Sequence, residues 1–239
     1  EEKKEKGLEI IVSGLKGGHS GMEIIKQRAN AIKLLGRILG QCNEEFNIRL
    51  SGIAGGTKHN AIPGDARAVI STNDTKGVTG YIENLAKDLK EEYRVEDSGL
   101  SVEVKEAQVE EVYAKGLSDD IIDYILMVPD GVQYMSKDIQ GLVQTSLNNA
   151  IIEEADGHVQ ITASVRSASS SSLREILDIL TVIARRTNAV TDERNSYPAW
   201  QYDKDSKIRE KAVKVYEEMF GKEPQVTVIH AGLECGVLK

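Results

Sequence analysis

The sequence contains little of several residue types, and each shortage excludes a class of protein. Its 239 residues include two cysteines, Cys42 and Cys235, which are too few for a disulfide framework or a cysteine-rich zinc site. Trp and Phe are also rare, so aliphatic side chains must fill most of the core. The longest uninterrupted apolar run extends only from Tyr124 to Val128, whereas a membrane-spanning helix needs roughly 20 apolar residues.

Positive charge is in short supply as well. The chain has 30 Lys and Arg against 38 Asp and Glu, which gives a formal net charge of −8. It contains no basic block, and affinity for phosphate depends mostly on Lys and Arg, so we expect neither a nucleic-acid partner nor a membrane partner. The opening EEKKEK lacks the apolar core of a signal peptide. Together these features predict a cytoplasmic protein.

The period of the hydrophobic pattern changes in a recognisable order along the first half of the chain. Alternating residues at 8–12, 46–50, 66–70 and 100–104 indicate strands, and three- and four-residue spacing at 25–39 and 78–93 indicates amphipathic helices. The order strand, helix, strand, strand, helix, strand is that of a ferredoxin-like unit. We therefore predict an α+β fold in which an antiparallel sheet carries its helices on one face.

The second half is similar in kind but less regular. A helix near 118–128 is followed by strands near 142–153 and 158–165, which the turn Asp156-Gly157 joins as a hairpin, and then by another helix. This order is compatible with a second copy of the same unit. The two similar halves would cover about 7–110 and 111–195, and the segment from Tyr197 onward has a different pattern.

The loop GLKGGHSG offers the first candidate for chemistry. Ser20 and Glu23 have the spacing of a capping box, so the glycines could serve only to turn the chain into a helix. In the functional alternative, His19 is exposed between glycines and reaches a ligand, and the N–H groups of the helix start favour an anion.

Two further loops and one strand end hold candidate residues. In GGTKHNAIP, Asn60 could support a turn or bind a substrate, and His59 is a weaker candidate. Arg166 ends an alternating strand, where it is either solvated or positioned to bind a carboxylate. In HAGLE, His230 and Glu234 are four residues apart, but the glycine between them favours a loop, so this is a weak metal-ligand pattern.

Five strings occur in one order from about residue 7 to residue 239: GLKGGHSGMEI, RANAIKLLGRIL, GGTKHNAIP, YPAWQYDKDS and IHAGLECGVLK. In this combination the sequence resembles the aminoacyl-histidine dipeptidase (Xaa-His dipeptidase, peptidase D) family. These proteins are two-zinc exopeptidases with a catalytic domain and an inserted lid or dimerisation domain. The resemblance implies that residues 7–195 are the lid and that residues 196–239 are part of the catalytic domain.

The resemblance also implies roles for individual residues. His19 would match the lid histidine that stabilises the oxyanion on the scissile carbonyl, which related dimers donate across the subunit interface. Asn60 and Arg166 would hold the substrate, with Arg166 binding its C-terminal carboxylate. Gly232 and Glu234 would lie in the loop that lines the substrate cleft.

Two zinc ions, a dipeptide substrate and a homodimer formed through the lid are further implications of the resemblance. The family's zinc ligands lie before the lid and in an HSP motif beyond HAGLECG, and neither portion is in this sequence. We therefore expect no metal ligand here and no activity from the isolated chain. Two alternatives stay open: a non-catalytic dimerisation or small-molecule-binding module, and a related metallohydrolase acting on other dipeptides or N-acyl amino acids.

Overall fold

A computed structural model describes residues 5–196 and 202–230, and the predicted α+β class is confirmed. The strands are β1 (Glu5–Ser13), β2 (Gly18–His19), β3 (Arg49–Gly55), β4 (Ala61–Ile62), β5 (Ala66–Ser71), β6 (Ser101–Val109), β7 (Gly131–Met135), β8 (Val143–Ala155) and β9 (His158–Ser167). The helices are α1 (Ala31–Phe46), α2 (Thr75–Glu92), α3 (Lys115–Met127), α4 (Ser170–Arg186) and α5 (Lys207–Phe220). In the described ranges, no helix is long and apolar enough to cross a membrane.

The first half has the predicted ferredoxin-like order. Its strands lie side by side as β6-β1-β5-β3, and each neighbouring pair is antiparallel. Because α1 returns the chain to the same end of the sheet, β3 runs parallel to β1. The connection from β3 to β5 reverses the direction, and β5 inserts between β1 and β3. All contacts between neighbouring strands are therefore antiparallel although both crossovers are helical.

The core lies between this sheet and the helices. Leu8, Ile10 and Val12 alternate along β1 and are at most 2% exposed, as expected for a strand with one buried face. Leu35 and Leu39 of α1 pack in the same cluster, together with residues of α2 and α3. Burying one such side chain contributes roughly 1.5–3 kcal/mol. The helices thus cover one face and leave the other accessible.

The start of α1 differs from the prediction. Asn30 is the N-cap residue, and its Oδ1 accepts hydrogen bonds from the N–H groups of Ile32 and Lys33 at 3.0 and 3.3 Å. The chain cannot enter the helix earlier because Gln27, with φ at 51°, ends a short 3-10 helix (Ile24–Lys26) in the left-handed region.

The predicted capping box at Ser20 and Glu23 is therefore wrong. Among the described residues, the buried Ser20 Oγ has no hydrogen-bond partner, and the Glu23 carboxylate accepts from the His19 N–H at 3.1 Å. The segment that carries His19 is a loop and a short strand before a one-turn helix.

The second half extends the sheet instead of repeating the first unit. Its order is α3, β7, β8, β9, α4, so the second copy suggested by the sequence is not observed. β8 pairs with β9 from Thr145↔Ser167 to Ala155↔His158, and it meets β3 at Gly55↔Ile152. β7 was not predicted. The result is a seven-stranded sheet in which β8 joins the two halves.

Close packing of α3 against α1 fixes the second half on the first. A Cβ added to Gly36 would overlap the Ile125 side chain, and one added to Gly40 would lie 2.7 Å from Leu126 Cδ1. Lys33 Nζ donates to the carbonyl oxygens of Leu126 at 3.1 Å and Val128 at 2.6 Å, which satisfies the C-terminal end of α3. Small residues on α1 therefore allow the two helices to approach closely.

We predict opposite effects for two glycine-to-alanine substitutions within helices. Gly36→Ala and Gly80→Ala each gain about 1 kcal/mol of helix propensity. A Cβ at Gly80 meets nothing within 4 Å, whereas one at Gly36 overlaps the buried Ile125. Gly80→Ala should raise the free energy of unfolding, and in Gly36→Ala an overpacking cost of about 1–3 kcal/mol should outweigh the gain, which lowers the free energy of unfolding by up to about 2 kcal/mol. Urea denaturation measures both, and equal stabilisation would contradict the proposed packing of α3 on α1.

Candidate functional site

The side of β8 and β9 that points away from the helices carries polar residues. Ser146 and Asn148 alternate along β8 with Leu147, which packs against the α4 side. Arg166 lies opposite Ser146 in the β8–β9 register. A serine, an asparagine and an arginine are thereby placed on one face of the sheet.

The two loops of the first half come together as a small ribbon on this face. β2 and β4 pair through Gly18↔Ile62 and His19↔Ala61, and the Ser20 N–H donates to the Asn60 carbonyl oxygen at 2.9 Å. These contacts place His19 and Asn60 at neighbouring positions, although about 40 residues separate them in the chain.

Hydrogen bonds define the tautomer of His19. Its Nδ1 accepts from the N–H groups of Gly21 and Met22, each at 3.1 Å, so the N–H group of the ring is at Nε2. The Glu23 carboxylate holds the loop through the His19 N–H, and hydrogen bonds from Lys26 and then from this N–H lower the pKa of Glu23 to about 2. The loop therefore presents His19 as an Nε2–H donor.

The C-terminal segment connects the His19 loop with Arg166. His230 Nε2 lies 2.8 Å from Ser146 Oγ, and a Cβ added to Gly21 would overlap the His230 carbonyl oxygen. Burial and then the positive charge of Arg166 lower the pKa of His230 to about 4, so its ring is neutral at pH 7. His230 is thus in contact with both halves of the site.

Arg166 has unused hydrogen-bonding capacity. Its Nε is buried and has no hydrogen-bond partner within the described part of the chain. A buried N–H without a partner is costly, and a guanidinium can donate two parallel hydrogen bonds to a carboxylate. His59, Arg166 and His230 line a cleft of about 2550 Å³. This arrangement is suited to a small anionic ligand.

The structure brings three of the predicted site residues into one region. His19 and Asn60 lie on the ribbon, and Arg166 is linked to them through His230 and Ser146. The other two predicted residues, at positions 232 and 234, lie outside the described residues. The described ranges contain no group of three or more His, Cys, Asp or Glu that could hold a metal ion.

Sequence reasoning missed the contributions of β8. Ser146 and Asn148 are 1% exposed, and both make side-chain hydrogen bonds to the site. The available signal was the alternation of Gln144, Ser146 and Asn148 in the strand VQTSLNNAII, although Thr145 and Asn149 are polar as well. The sequence suggested His230 only as a weak candidate metal ligand, whereas in the structure its ring forms a hydrogen bond with Ser146.

Comparisons with known proteins agree with this architecture. Residues 10–97 match the family model described as peptidase dimerisation domain. Over 235 residues, 97% of the chain, the sequence is 33% identical to the cytosol non-specific dipeptidase of Escherichia coli (strain K12). The crystal structure of the aminoacylhistidine dipeptidase from Vibrio alginolyticus matches 98% of the chain with a TM-score of 0.90 and 31% identity.

The resemblance to aminoacyl-histidine dipeptidases is thereby confirmed over nearly the whole chain. The chain spans about half the length of these relatives, 48% of the Escherichia coli protein and 49% of the Vibrio alginolyticus chain.

Removing the charge of Arg166 should change the titration of His230. We expect Arg166→Gln to raise the pKa of His230, which nevertheless stays below its ordinary value because the ring remains buried. The imidazole Cε1–H resonances in NMR spectra measure this. Arg174→Gln is the control, since Arg174 is exposed and pairs with Asp178 at 2.7 Å. An unchanged pKa of His230 in Arg166→Gln would contradict the electrostatic effect of Arg166 on His230.

Proposed function

We propose that the chain is the lid-bearing half of a zinc-dependent dipeptidase that hydrolyses Xaa-His dipeptides. The observation that supports this function is the convergence on one face of the sheet of an Nε2–H donor, His19, and of Arg166, whose buried Nε has no hydrogen-bond partner among the described residues. The similarity to dipeptidases over nearly the whole chain supports the same conclusion.

The role of His19 on this proposal follows from the hydrogen bonds to its Nδ1. Attack on a peptide carbonyl places negative charge on its oxygen, and a donor fixed in advance stabilises that charge. Because the N–H groups of Gly21 and Met22 donate to Nδ1, the N–H group of the ring is at Nε2 and can donate a hydrogen bond to the oxyanion. His19 therefore donates to the oxyanion and does not exchange a proton with the substrate.

Arg166 and Asn60 bind the substrate on this proposal. Arg166 receives the free C-terminal carboxylate, which satisfies its buried Nε and excludes peptides that extend further in that direction. Asn60 donates or accepts a hydrogen bond at the substrate backbone. The substrate-binding roles of Gly232 and Glu234 rest on the family resemblance alone.

Zinc belongs to this proposal through the family resemblance alone. The described residues do not fit a zinc site, because they contain no cluster of at least three potential ligands. On this proposal the ligands belong to another part of the protein. Residues 7–195 then form the lid, residues 196–239 return to the catalytic domain, and the protein is a cytoplasmic homodimer joined through its lids.

The first test compares the purified chain with the complete protein of which, on this proposal, it is a part. Both are incubated with Zn²⁺ and an Xaa-His dipeptide, and intact mass is checked in the same preparations. We expect turnover only from the complete protein, since the chain's described residues offer no metal site. Metal-dependent turnover by the chain alone would contradict its assignment as a lid fragment.

The same assay separates the alternatives through its substrates. The name of the Escherichia coli relative, a non-specific dipeptidase, favours a wider range of dipeptides as a second candidate activity. Comparable kcat/KM values for Xaa-His and other dipeptides would select that activity, and preference for N-acyl amino acids would select an amidohydrolase. Inactivity of the complete protein on every substrate would favour a non-catalytic module.

Two substitutions in the complete protein should affect different kinetic constants. Removing one oxyanion donor typically costs 10²- to 10³-fold, so His19→Ala should lower kcat by about that factor. Arg166→Ala should instead raise KM at least about tenfold, because it removes a charged contact to the substrate. Arg94→Ala serves as the control, since Arg94 is exposed, pairs with Glu91 and does not line the cleft. An unchanged kcat in His19→Ala would exclude the oxyanion role.

A further inference from the structure

The ribbon of β2 and β4 is too small to hold its own orientation. Its ladder consists of two residue pairs, one of which is His19↔Ala61, and isolated two-stranded hairpins are at best marginally stable in water. Ile62 attaches the ribbon to the body of the protein by packing with Ile24 and Val143. Apolar contacts are non-directional, so this packing holds the ribbon on the sheet without fixing the direction of His19.

A directional contact comes from Asn148 in β8. Its Nδ2 donates to the carbonyl oxygen of Ala61 at 2.8 Å, and Ala61 is the residue paired with His19. The Asn148 side chain is 1% exposed, so water cannot readily replace this hydrogen bond. The position of the His19 strand is thereby tied to β8.

The amide of Asn148 is itself oriented from its other end. Its Oδ1 lies 3.4 Å from Asn30 Nδ2, whose two hydrogens are directed at Asp130 Oδ1 and at the Asn149 carbonyl oxygen, each at 2.9 Å. With the Asn148 amide reversed, its NH₂ group would face the NH₂ group of Asn30, so two donors would oppose each other. Asn30 cannot turn its amide around without losing the cap of α1. The NH₂ group of Asn148 is consequently directed at the ribbon.

We propose that Asn148 is a positioning residue for the candidate site, because its bond to the Ala61 carbonyl fixes the direction in which His19 presents Nε2–H. This inference rests on the proposed function, in which His19 donates to the oxyanion. Asn60 precedes Ala61 in the chain, so the same bond restrains the Asn60 side chain. Asn148 acts through these two residues.

Two neighbouring asparagines provide a variant and its matched control. Asn148→Leu removes the amide at a similar side-chain volume. Asn149 is also buried, at 3% exposure, but its Nδ2 donates to Pro129 and Asp130 and not to the ribbon. Asn149→Leu should therefore lower stability to a similar degree through unsatisfied buried partners without disturbing His19. Asn148→Ala, which leaves room for water, serves if the leucine variant does not fold.

Hydrogen exchange in the chain tests the contact itself. The Ser20 amide, which donates to the Asn60 carbonyl oxygen at 2.9 Å, reports whether the ribbon opens. We expect Asn148→Leu to accelerate its exchange at least about tenfold, and Asn149→Leu to leave it near the parent rate. An unchanged Ser20 rate in Asn148→Leu would overturn the inference whatever the activity.

Kinetics of the complete protein then test the consequence. A misplacement of about 1 Å can cost about 10²-fold, so Asn148→Leu should lower kcat by about 10- to 100-fold with a smaller change in KM. Asn149→Leu should keep the parent kcat. Faster exchange with a normal kcat in Asn148→Leu, while His19→Ala loses activity, would overturn the positioning role. If His19→Ala also keeps its kcat, the proposed function fails, and faster exchange would still establish the contact.

Discussion

The position of β8 is the constraint on which the rest of the structure depends. β8 lies between the ferredoxin-like sheet and β9, yet it meets β3 at one residue pair, Gly55↔Ile152. The position of β8 is therefore determined mainly by the helices on one face of the sheet, where α3 packs closely on Gly36 and Gly40 of α1. Because the open face of β8 bears Ser146 and Asn148, helix packing on one side of the sheet positions the candidate site on the other.

Buried polar groups make this junction specific. Asp130, which is partly buried, accepts hydrogen bonds from Asn30 Nδ2 and from the N–H and Nδ2 groups of Asn149. Burial raises the pKa of Asp130 to about 6, against the opposing effect of these bonds and of Lys33. A satisfied network of this kind permits one arrangement of its elements, whereas apolar packing alone would tolerate several. The free-energy cost of burying the Asp130 carboxyl group therefore accompanies one defined arrangement of α1, which begins after Asn30, and β8, which contains Asn149.

The sequence predicted the elements that depend on local pattern and missed those that depend on long-range contacts. Alternation in β1 and β6 and helical spacing in α1 and α2 were sufficient for the ferredoxin-like unit, because these periods reflect burial on a single face. The start of α1 was misplaced because Asn30 caps the helix, while Ser20 and Glu23 only have the spacing of a capping box. Likewise, Asn148 could not be assigned to the ribbon, since its partner Ala61 is 87 positions away.

The segment after α4 behaves differently from the rest of the described chain. α5 buries no residue, and its apolar side chains Ile208, Met219 and Phe220 are 80%, 69% and 58% exposed. An amphipathic helix gains most of its stability by burying such a face, so this one requires a surface that the described residues do not supply. The same segment includes His230, which is in contact with Ser146 and the His19 loop. A segment anchored to the site at His230 and unpacked along α5 is what the proposed return into a catalytic domain requires.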